Sequence, residues 1–335
     1  MSQPLRMSGV SIDLKLTGGR VAVVRDVDLS VGAGEIVCLV GESGSGKTIT
    51  ALAAVRLLPR VAGMRSRSVV IDGTETRDIT DKAFGALLGD RVSIVFQNPM
   101  SSLNPVLTIG EQLCEAYLTH KRGSRAEAEV RAIDLLERVG VSAAADRMRQ
   151  FPHQLSGGLR QRVMIALAFM CEPALVIGDE PTTALDVTMQ AQTLRLLKDL
   201  ARDTGIGLLL ITHDLGVVSR MADRVVVMYA GRVVEEGTCE EIFAHPIHPY
   251  TRGLVDCAPA HASNGGFLSI PGEVPALTAT PVGCDFRSRC PSAHADCHRE
   301  PPIREEGARR WRCVMDRKTA QAAPTPASAA LEAEG

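Results

Sequence analysis

Residues 41–48 have the types and spacing of a phosphate-binding loop. They fit the pattern G-x-x-x-x-G-K-[ST], between an apolar run at 35–40 and a helix-forming run at 50–58. Backbone N–H groups of such a loop surround phosphate, Lys47 reaches the β and γ oxygens, and the Thr48 hydroxyl can bind Mg²⁺. The sequence therefore predicts ATP-type nucleotide binding by Gly41, Ser43, Gly44, Ser45, Gly46, Lys47 and Thr48.

A glycine pair marks the start of a predicted helix further along the chain. Ser156 can cap this helix, and Pro173 cannot continue it. Gly157 and Gly158 then lie at the helix N-terminus, where unpaired N–H groups and the positive end of the helix dipole favour phosphate. Taken alone, the segment is equally well interpreted as an ordinary glycine-rich turn.

Two carboxylates follow that helix. Residues 174–177 are a short apolar run between Pro173 and Gly178, which predicts a buried strand that ends at Asp179 and Glu180. Open α/β sheets bind ligands at the carboxyl ends of their strands. One carboxylate suits a Mg²⁺ ion and the other suits a water molecule, whereas an acidic surface loop is the alternative interpretation.

Two more polar side chains stand at the ends of predicted strands. Residues 91–97 predict a strand that ends at Gln97, and residues 207–211 predict one that leads to His213. Either residue alone would more often be a surface or structural residue.

Other elements are needed to position these side chains. Turn residues, capping residues and apolar periodicity predict where they lie. The predicted elements are an antiparallel β layer at 10–16 and 21–31, a helical subdomain at about 108–170, a helix at 188–204 and a hairpin at 224–234.

Composition limits the class of protein. The 335 residues are 45% hydrophobic and 23% charged, which suits one large domain with an extension. A net charge of −2 gives no electrostatic case for nucleic acid as the main partner. The apolar runs are shorter than the roughly 18 residues that span a bilayer. Without a signal-peptide pattern either, we expect a cytoplasmic protein unless a partner holds it at a membrane.

The motifs together resemble those of ABC-type ATPases. The resemblance implies an α/β P-loop NTPase fold with an N-terminal antiparallel β layer, an inserted α-helical subdomain and a small cysteine-containing C-terminal extension. It implies catalytic roles for Glu180, His213 and Gln97, and Mg²⁺ binding by Thr48, Gln97 and Asp179. It also implies that the signature, which contacts ATP of a second subunit, consists of Ser156, Gly157, Gly158 and Gln161. It assigns Asp186 to the D-loop.

The segment at 245–254, HPIHPYTRGL, narrows this resemblance. It is similar to the C-terminal extension of ATP-binding subunits of oligopeptide and dipeptide ABC importers. The resemblance implies ATP hydrolysis that energises peptide import, with nickel, opines or sugars as other solutes. It also implies a second, related ATPase subunit, two membrane permease subunits, an extracytoplasmic binding protein and a location at the cytoplasmic face of the membrane. A soluble ABC ATPase that acts on ribosomes or nucleic acid is the competing class.

Four late cysteines could bind a metal. Cys284, Cys290, Cys297 and Cys313 are spaced unlike the close C-x₂-C pairs of zinc fingers. From the thiols alone, Zn²⁺, an iron–sulfur cluster and free cysteines all stay open, and the importer resemblance implies a [4Fe–4S] cluster.

The expected domains are an ATPase domain at 1–241, the extension at 242–316 and a disordered tail at 317–335.

Overall fold

The structure, a computed structural model, describes residues 3–97, 102–121, 123–182, 186–258, 269–275 and 282–322. Its strands are β1 (Leu5–Leu16), β2 (Gly19–Val31), β3 (Ile36–Val40), β4 (Ala62–Arg65), β5 (Ser68–Ile71), β6 (Thr74–Glu75), β7 (Val92–Val95), β8 (Leu175–Asp179), β9 (Gly207–Ile211), β10 (Arg224–Tyr229), β11 (Arg232–Thr238), β12 (Ile303–Glu306) and β13 (Arg309–Arg312).

The helices of the described residues alternate with these strands. They are α1 (Lys47–Ala54), α2 (Asp81–Gly85), α3 (Ile109–Lys121), α4 (Arg125–Arg138), α5 (Ala144–Arg147), α6 (Gly157–Phe169), α7 (Val187–Thr204), α8 (Leu215–Met221), α9 (Cys239–Ala244), α10 (Pro249–Asp256) and α11 (Arg317–Ala322). None of them is long and apolar enough to cross a membrane.

The chain folds into two compact units. The first comprises Met1–Arg6, Ser30–Ile36 and Val69–Leu210, and the second comprises Met7–Leu29, Val37–Ser68 and Ile211–Gly335. In the first unit, β7 and β8 pair in parallel and β9 adjoins β8. Strands β8 and β9 are buried at every position, which explains their nearly unbroken apolar sequences.

Helices of the first unit form the predicted helical subdomain. Ser124 and Glu127 make the predicted capping box at the start of α4, with both reciprocal hydrogen bonds present. Gly205, in the left-handed conformation, ends α7 as predicted. These two local signals are therefore confirmed, whereas the bounds of the helical subdomain stay a prediction.

The second unit contains the predicted antiparallel layer and hairpin. Strand β1 pairs with β2 and, antiparallel, with β4. Strands β10 and β11 form the hairpin through the turn at Ala230 and Gly231, and β10 also pairs in parallel with β3. Strand β13 extends this sheet beyond β11, and β12 pairs with β13.

Several boundaries differ from the sequence prediction, among them that β1 begins at Leu5 rather than at residue 10 and that β11 continues to Thr238 rather than ending at 234. Strand β7 ends at Val95 rather than at Gln97. Helix α1 ends at Ala54 instead of continuing to residue 58, because Arg56 turns into a positive φ of 53°. The prediction of a disordered tail from residue 317 was wrong for its first residues. Arg317–Ala322 is a helix, and Ala320 is buried in a cluster with Trp311. Residues 323–335 lie outside the described residues.

Candidate functional site

The predicted phosphate loop joins β3 to α1 and folds its lysine over itself. The Lys47 side chain is buried, and its ammonium donates hydrogen bonds to the carbonyl oxygens of Gly41 (2.8 Å) and Glu42 (2.9 Å). It also lies 3.4 Å from the Ser45 hydroxyl oxygen. The positive charge is thus held at the loop, where it can neutralise phosphate. The loop positions exposed to solvent are Ser43, Gly44 and Thr48.

Two glycines of this loop have no room for a side chain. Gly41 has a φ of +147°, and a Cβ atom there would collide with the carbonyl oxygen of Met228 in β10. Gly46 has a φ of +100°, and its Cβ atom would lie 2.9 Å from the carbonyl oxygen of Val23 in β2. Backbone angle and neighbouring backbone both require glycine at these positions.

His213 lies in a fixed turn of the same unit. It is exposed and follows the end of β9. On its far side, the Asp214 carboxylate caps α8 by accepting hydrogen bonds from the N–H groups of Gly216 (2.8 Å) and Val217 (3.3 Å). The strand end and the helix cap hold the backbone on both sides of the imidazole.

The predicted carboxylates occupy the end of β8 in the first unit. Because β7 and β8 pair in parallel, with Val95 opposite Gly178, both strands end at the same edge of the sheet. Asp179 is the last residue of β8 and is buried, and Glu180 follows it. The Gln97 side-chain amide donates a hydrogen bond of 3.2 Å to a carboxylate oxygen of Glu180. The structure therefore brings Gln97 and Glu180 together, although two motifs more than 80 residues apart supply them.

The backbone of Glu180 is strained. Its φ of +46° lies in the left-handed region, which a residue with a side chain adopts at a cost of about 1–3 kcal/mol. Such outliers persist where the surrounding structure fixes them, and they cluster at functional sites. This angle sets the direction in which the Glu180 carboxylate leaves the strand.

Ser156 and the glycine pair begin α6 as predicted. The Ser156 hydroxyl accepts a hydrogen bond from the Leu159 N–H group, and a Cβ atom at Gly157 would meet nothing within 4 Å. At Gly158, a Cβ atom would lie 2.6 Å from the Met189 side chain. There is thus open space beside Gly157 at the helix N-terminus, where backbone N–H groups have no partner within the helix, whereas Gly158 permits close packing against α7.

Gln161 corrects one prediction about the signature. The sequence placed it among residues that contact ATP of a second subunit, but its side chain is only 1% exposed. Its amide donates a 2.6 Å hydrogen bond to the carbonyl oxygen of Pro181. The buried amide thus connects the signature helix to the residue after Glu180 within one unit and is not available to a partner. Sequence reasoning missed this role because the hydrogen bond joins residues 20 positions apart, which only the fold brings together.

Of the predicted D-loop, the structure describes Asp186. The Asp186 carboxylate caps α7 by accepting a hydrogen bond of 2.9 Å from the Met189 N–H group. Residues 183–185, like residues 98–101 after Gln97, lie outside the described residues.

The late cysteines lie in one region of the second unit. The Cys284 N–H group donates a hydrogen bond of 2.9 Å to the carbonyl oxygen of Cys297. Burial raises the pKa of the Cys284 thiol to about 12 and that of Cys290 to about 11, with smaller contributions from the neighbouring thiols, Cys313 among them. Among the described residues, no group of three or more His, Cys, Asp or Glu side chains is arranged to hold a metal ion. The thiols are close enough to affect one another, but they do not form a ligand set.

Comparison with known proteins decides the family. Residues 24–183 match the family described as ABC transporter, and residues 234–297 match "Oligopeptide/dipeptide transporter, C-terminal region". The chain is 46% identical, over 317 residues, to the probable D,D-dipeptide transport ATP-binding protein DdpD of Escherichia coli (strain K12), which covers 94% of this chain and 97% of that protein. The chain belongs to the ABC transporter family. As a member of this family, it is an ATPase whose hydrolysis is coupled to transport.

Other ABC transporter proteins agree in sequence and in fold. The oligopeptide transport ATP-binding protein OppD of Salmonella typhimurium is 43% identical, with 89% of each chain covered. A dimeric ATP-binding cassette, MJ0796, bound to ADP and Pi, is 29% identical with a TM-score of 0.61, over 70% of this chain and 98% of that one. The protein cbiO1 of Clostridium perfringens, part of the ABC transporter complex cbiONQ, is 25% identical with a TM-score of 0.62, over 73% of this chain and 92% of that one. The ABC ATPase fold predicted from the motifs is thereby confirmed.

Proposed function

We propose that this chain hydrolyses ATP to energise the import of peptides through a membrane transporter. One observation carries the proposal, namely that an ABC ATPase core and the C-terminal region of oligopeptide/dipeptide transporters occur in the same chain. Relatives named for D,D-dipeptide and oligopeptide transport align with about nine-tenths of it or more. The transported solute is therefore expected to be a short peptide.

The side chains described above have the chemistry that ATP hydrolysis needs. Lys47 neutralises the β and γ phosphates, and backbone N–H groups of the loop donate to them. Thr48, Asp179 and Gln97 offer hydroxyl, carboxylate and amide oxygens, the donor set that Mg²⁺ prefers. The bound Mg²⁺ would offset negative charge on the transferring phosphate.

Glu180 is the proposed general base. Its carboxylate can accept a proton from the attacking water, and the hydrogen bond from Gln97 holds one of its oxygens. His213 is the proposed contact to the γ-phosphate, held by the turn between β9 and α8. These two residues are proposed to act on the attacking water and the γ-phosphate, whereas the phosphate loop is proposed to bind the β and γ phosphates.

A second ATPase subunit would complete each site. The chain contains one phosphate loop and one glycine-pair helix, so Ser156, Gly157 and Gly158 are proposed to contact ATP held by a related partner. The relative whose structure is dimeric supports such pairing. Two permease subunits and an extracytoplasmic binding protein would complete the importer, and this chain would then lie at the cytoplasmic face of the membrane.

The cysteine region is proposed to hold a [4Fe–4S] cluster, with Zn²⁺ as the alternative. Four thiols supply suitable donors, but they do not form a ligand set in this structure and no catalytic step depends on a cluster. Anaerobically purified protein is expected to contain about four irons and to absorb broadly near about 400 nm, and Cys290→Ser or Cys297→Ser should remove both signals. Stoichiometric zinc without iron, or neither metal, would contradict the cluster.

Identification of the partners tests the proposed function. The tagged chain is purified from membranes, its permease and binding-protein partners are identified, and the ligand of that binding protein is determined by mass spectrometry. Peptides bound to the binding protein are the expected result. A binding protein loaded with nickel, an opine or a sugar would contradict the peptide assignment, and recovery with ribosomes would contradict transport.

A further inference from the structure

The second residue of the phosphate loop is held by two side chains of the C-terminal extension. The Glu42 N–H group donates a hydrogen bond of 2.8 Å to the Tyr250 hydroxyl oxygen. The Glu42 carboxylate accepts two hydrogen bonds from the Arg289 guanidinium, of 2.6 and 2.9 Å. Tyr250 belongs to the HPYT segment and Arg289 directly precedes Cys290, so segments far apart in sequence hold the same loop residue.

The Arg289 guanidinium is built into the fold. Only 3% of its side chain is exposed, and it also donates hydrogen bonds of 2.9 Å to the carbonyl oxygens of Ile270 and Pro271. It lies over the ring of Tyr229 at 5.8 Å. Burial alone would lower its pKa, but the hydrogen bonds to Glu42 and Tyr229 outweigh burial and raise it. A buried cation of this kind needs a counter-charge, and Glu42 supplies it.

Aromatic rings beside the contact between Arg289 and Glu42 pack against the end of β10, next to the phosphate loop. Tyr229 ends β10, and its ring lies 4.6 Å from that of Tyr250 and 5.2 Å from that of Phe286. The residue before it, Met228, has the carbonyl oxygen that a side chain at Gly41 would strike. The rings that orient Tyr250 are thus continuous with the backbone that packs against the phosphate loop.

The contact also reaches the lysine of the loop. The carbonyl oxygen of Glu42 accepts a hydrogen bond from Lys47, while the N–H group and carboxylate of the same residue are held by the extension. Fixing Glu42 therefore fixes one of the acceptors that position the ammonium. A loop that is ordered before ATP arrives loses less entropy when it binds.

We propose that Tyr250 and Arg289 are positioning residues for ATP, which act through Glu42 to hold the phosphate loop in its binding conformation. The ATP affinity of this subunit then depends on its C-terminal extension. The HPYT segment, residues 248–251, thereby acquires a role in the nucleotide site.

Equilibrium ATP binding to the full-length chain tests this proposal. Arg289→Met and Glu42→Gln are each expected to weaken ATP binding about tenfold, equivalent to about 1.4 kcal/mol. Because both changes remove one contact, the double variant should be little worse than either single variant. Tyr250→Phe, which keeps the ring, should weaken binding about threefold by loss of one hydrogen bond. Arg287→Met is the matched control, since Arg287 lies in the same segment and donates to the Val282 carbonyl oxygen instead.

Thermal unfolding and turnover separate positioning from simple stabilisation. In the assembled transporter, the KM for ATP should rise in these variants while kcat stays within about twofold, because Glu180 is unchanged. Wild-type ATP affinity in Tyr250→Phe and Arg289→Met, with or without a lower unfolding temperature, would overturn the proposal. If Arg289→Met does not fold, Tyr250→Phe alone decides. Wild-type protein that does not bind ATP would instead contradict the proposed function.

Discussion

Acid should weaken the C-terminal extension through one histidine. His248 is fully buried, caps α10 and accepts a hydrogen bond of 3.1 Å from the Tyr250 N–H group at its Nδ1 atom. Burial lowers its pKa from 6.5 to about 3. Protonation would charge a buried ring and abolish the acceptor that caps the helix. The native fold therefore requires the neutral imidazole.

The sign and size of the effect follow from proton linkage. Above pH 6.5 the imidazole is neutral in both states, and its contribution to the free energy of unfolding is fully present. Between pH 6.5 and about 3 the unfolded chain binds a proton that the folded chain does not, so stability falls as pH falls. The slope approaches about 1.4 kcal/mol per pH unit, which gives a loss of about 3 kcal/mol at pH 4.

Denaturant unfolding between pH 7.5 and 4, followed by Trp311 fluorescence, measures this loss. Trp311 is the only tryptophan, and it packs against Ile247, the neighbour of His248. His248→Asn keeps a capping acceptor and cannot titrate. The free energy of unfolding of this variant should therefore fall less steeply with falling pH than that of wild type, by about 1.4 kcal/mol per pH unit, the slope of one proton. His245→Asn, at an exposed position, is the control and should match wild type. Parallel pH profiles for His248→Asn and wild type would show that His248 is not the source of the acid sensitivity.

Two further substitutions test local features. At Gly178, an added Cβ atom would lie 3.2 Å from Leu210 and 3.3 Å from Pro181. Gly178→Ala should therefore change the free energy of unfolding by less than about 1 kcal/mol, because this crowding offsets the gain from a less flexible unfolded chain. A larger loss in denaturant unfolding would contradict this expectation. No aromatic residue precedes Phe84 to stack on adenine, so competition binding should show less than about tenfold preference for ATP over GTP. A Cβ atom at Gly18 would meet nothing within 4 Å, so Gly18→Tyr should add the missing aromatic ring and tighten binding of both nucleotides. A hundredfold preference of the wild type for ATP would mean that another group recognises the base.

Local signals predicted the elements that carry the site. The loop around Lys47, the cap at Ser156 and the stop at Gly205 depend on residues within a few positions, and the structure has each where the sequence placed it. Boundaries were less predictable, as at Arg56, where a turn with positive φ ends α1 before its apolar pattern ends.

Long-range polar contacts could not be predicted. Arg309 lies in a stretch of charged residues that reads as surface, yet its side chain is buried and donates a hydrogen bond of 2.6 Å to the carboxylate of Glu235. Glu42 and Arg289 are 247 positions apart. No periodicity marks such pairs, because burial of a charge depends on the partner that the fold brings to it.

Peptide-stimulated ATP turnover of the assembled transporter tests whether this chain hydrolyses ATP to energise peptide import. Wild-type complex with peptide-loaded binding protein should hydrolyse ATP faster than complex without peptide. Glu180→Gln should lower turnover by at least about a hundredfold, because the proton acceptor is lost, while ATP binding stays nearly intact and an ATP-bound closed dimer accumulates. Turnover of Glu180→Gln within a few-fold of wild type would show that Glu180 is not the base. Wild-type turnover that does not respond to peptide would contradict peptide import.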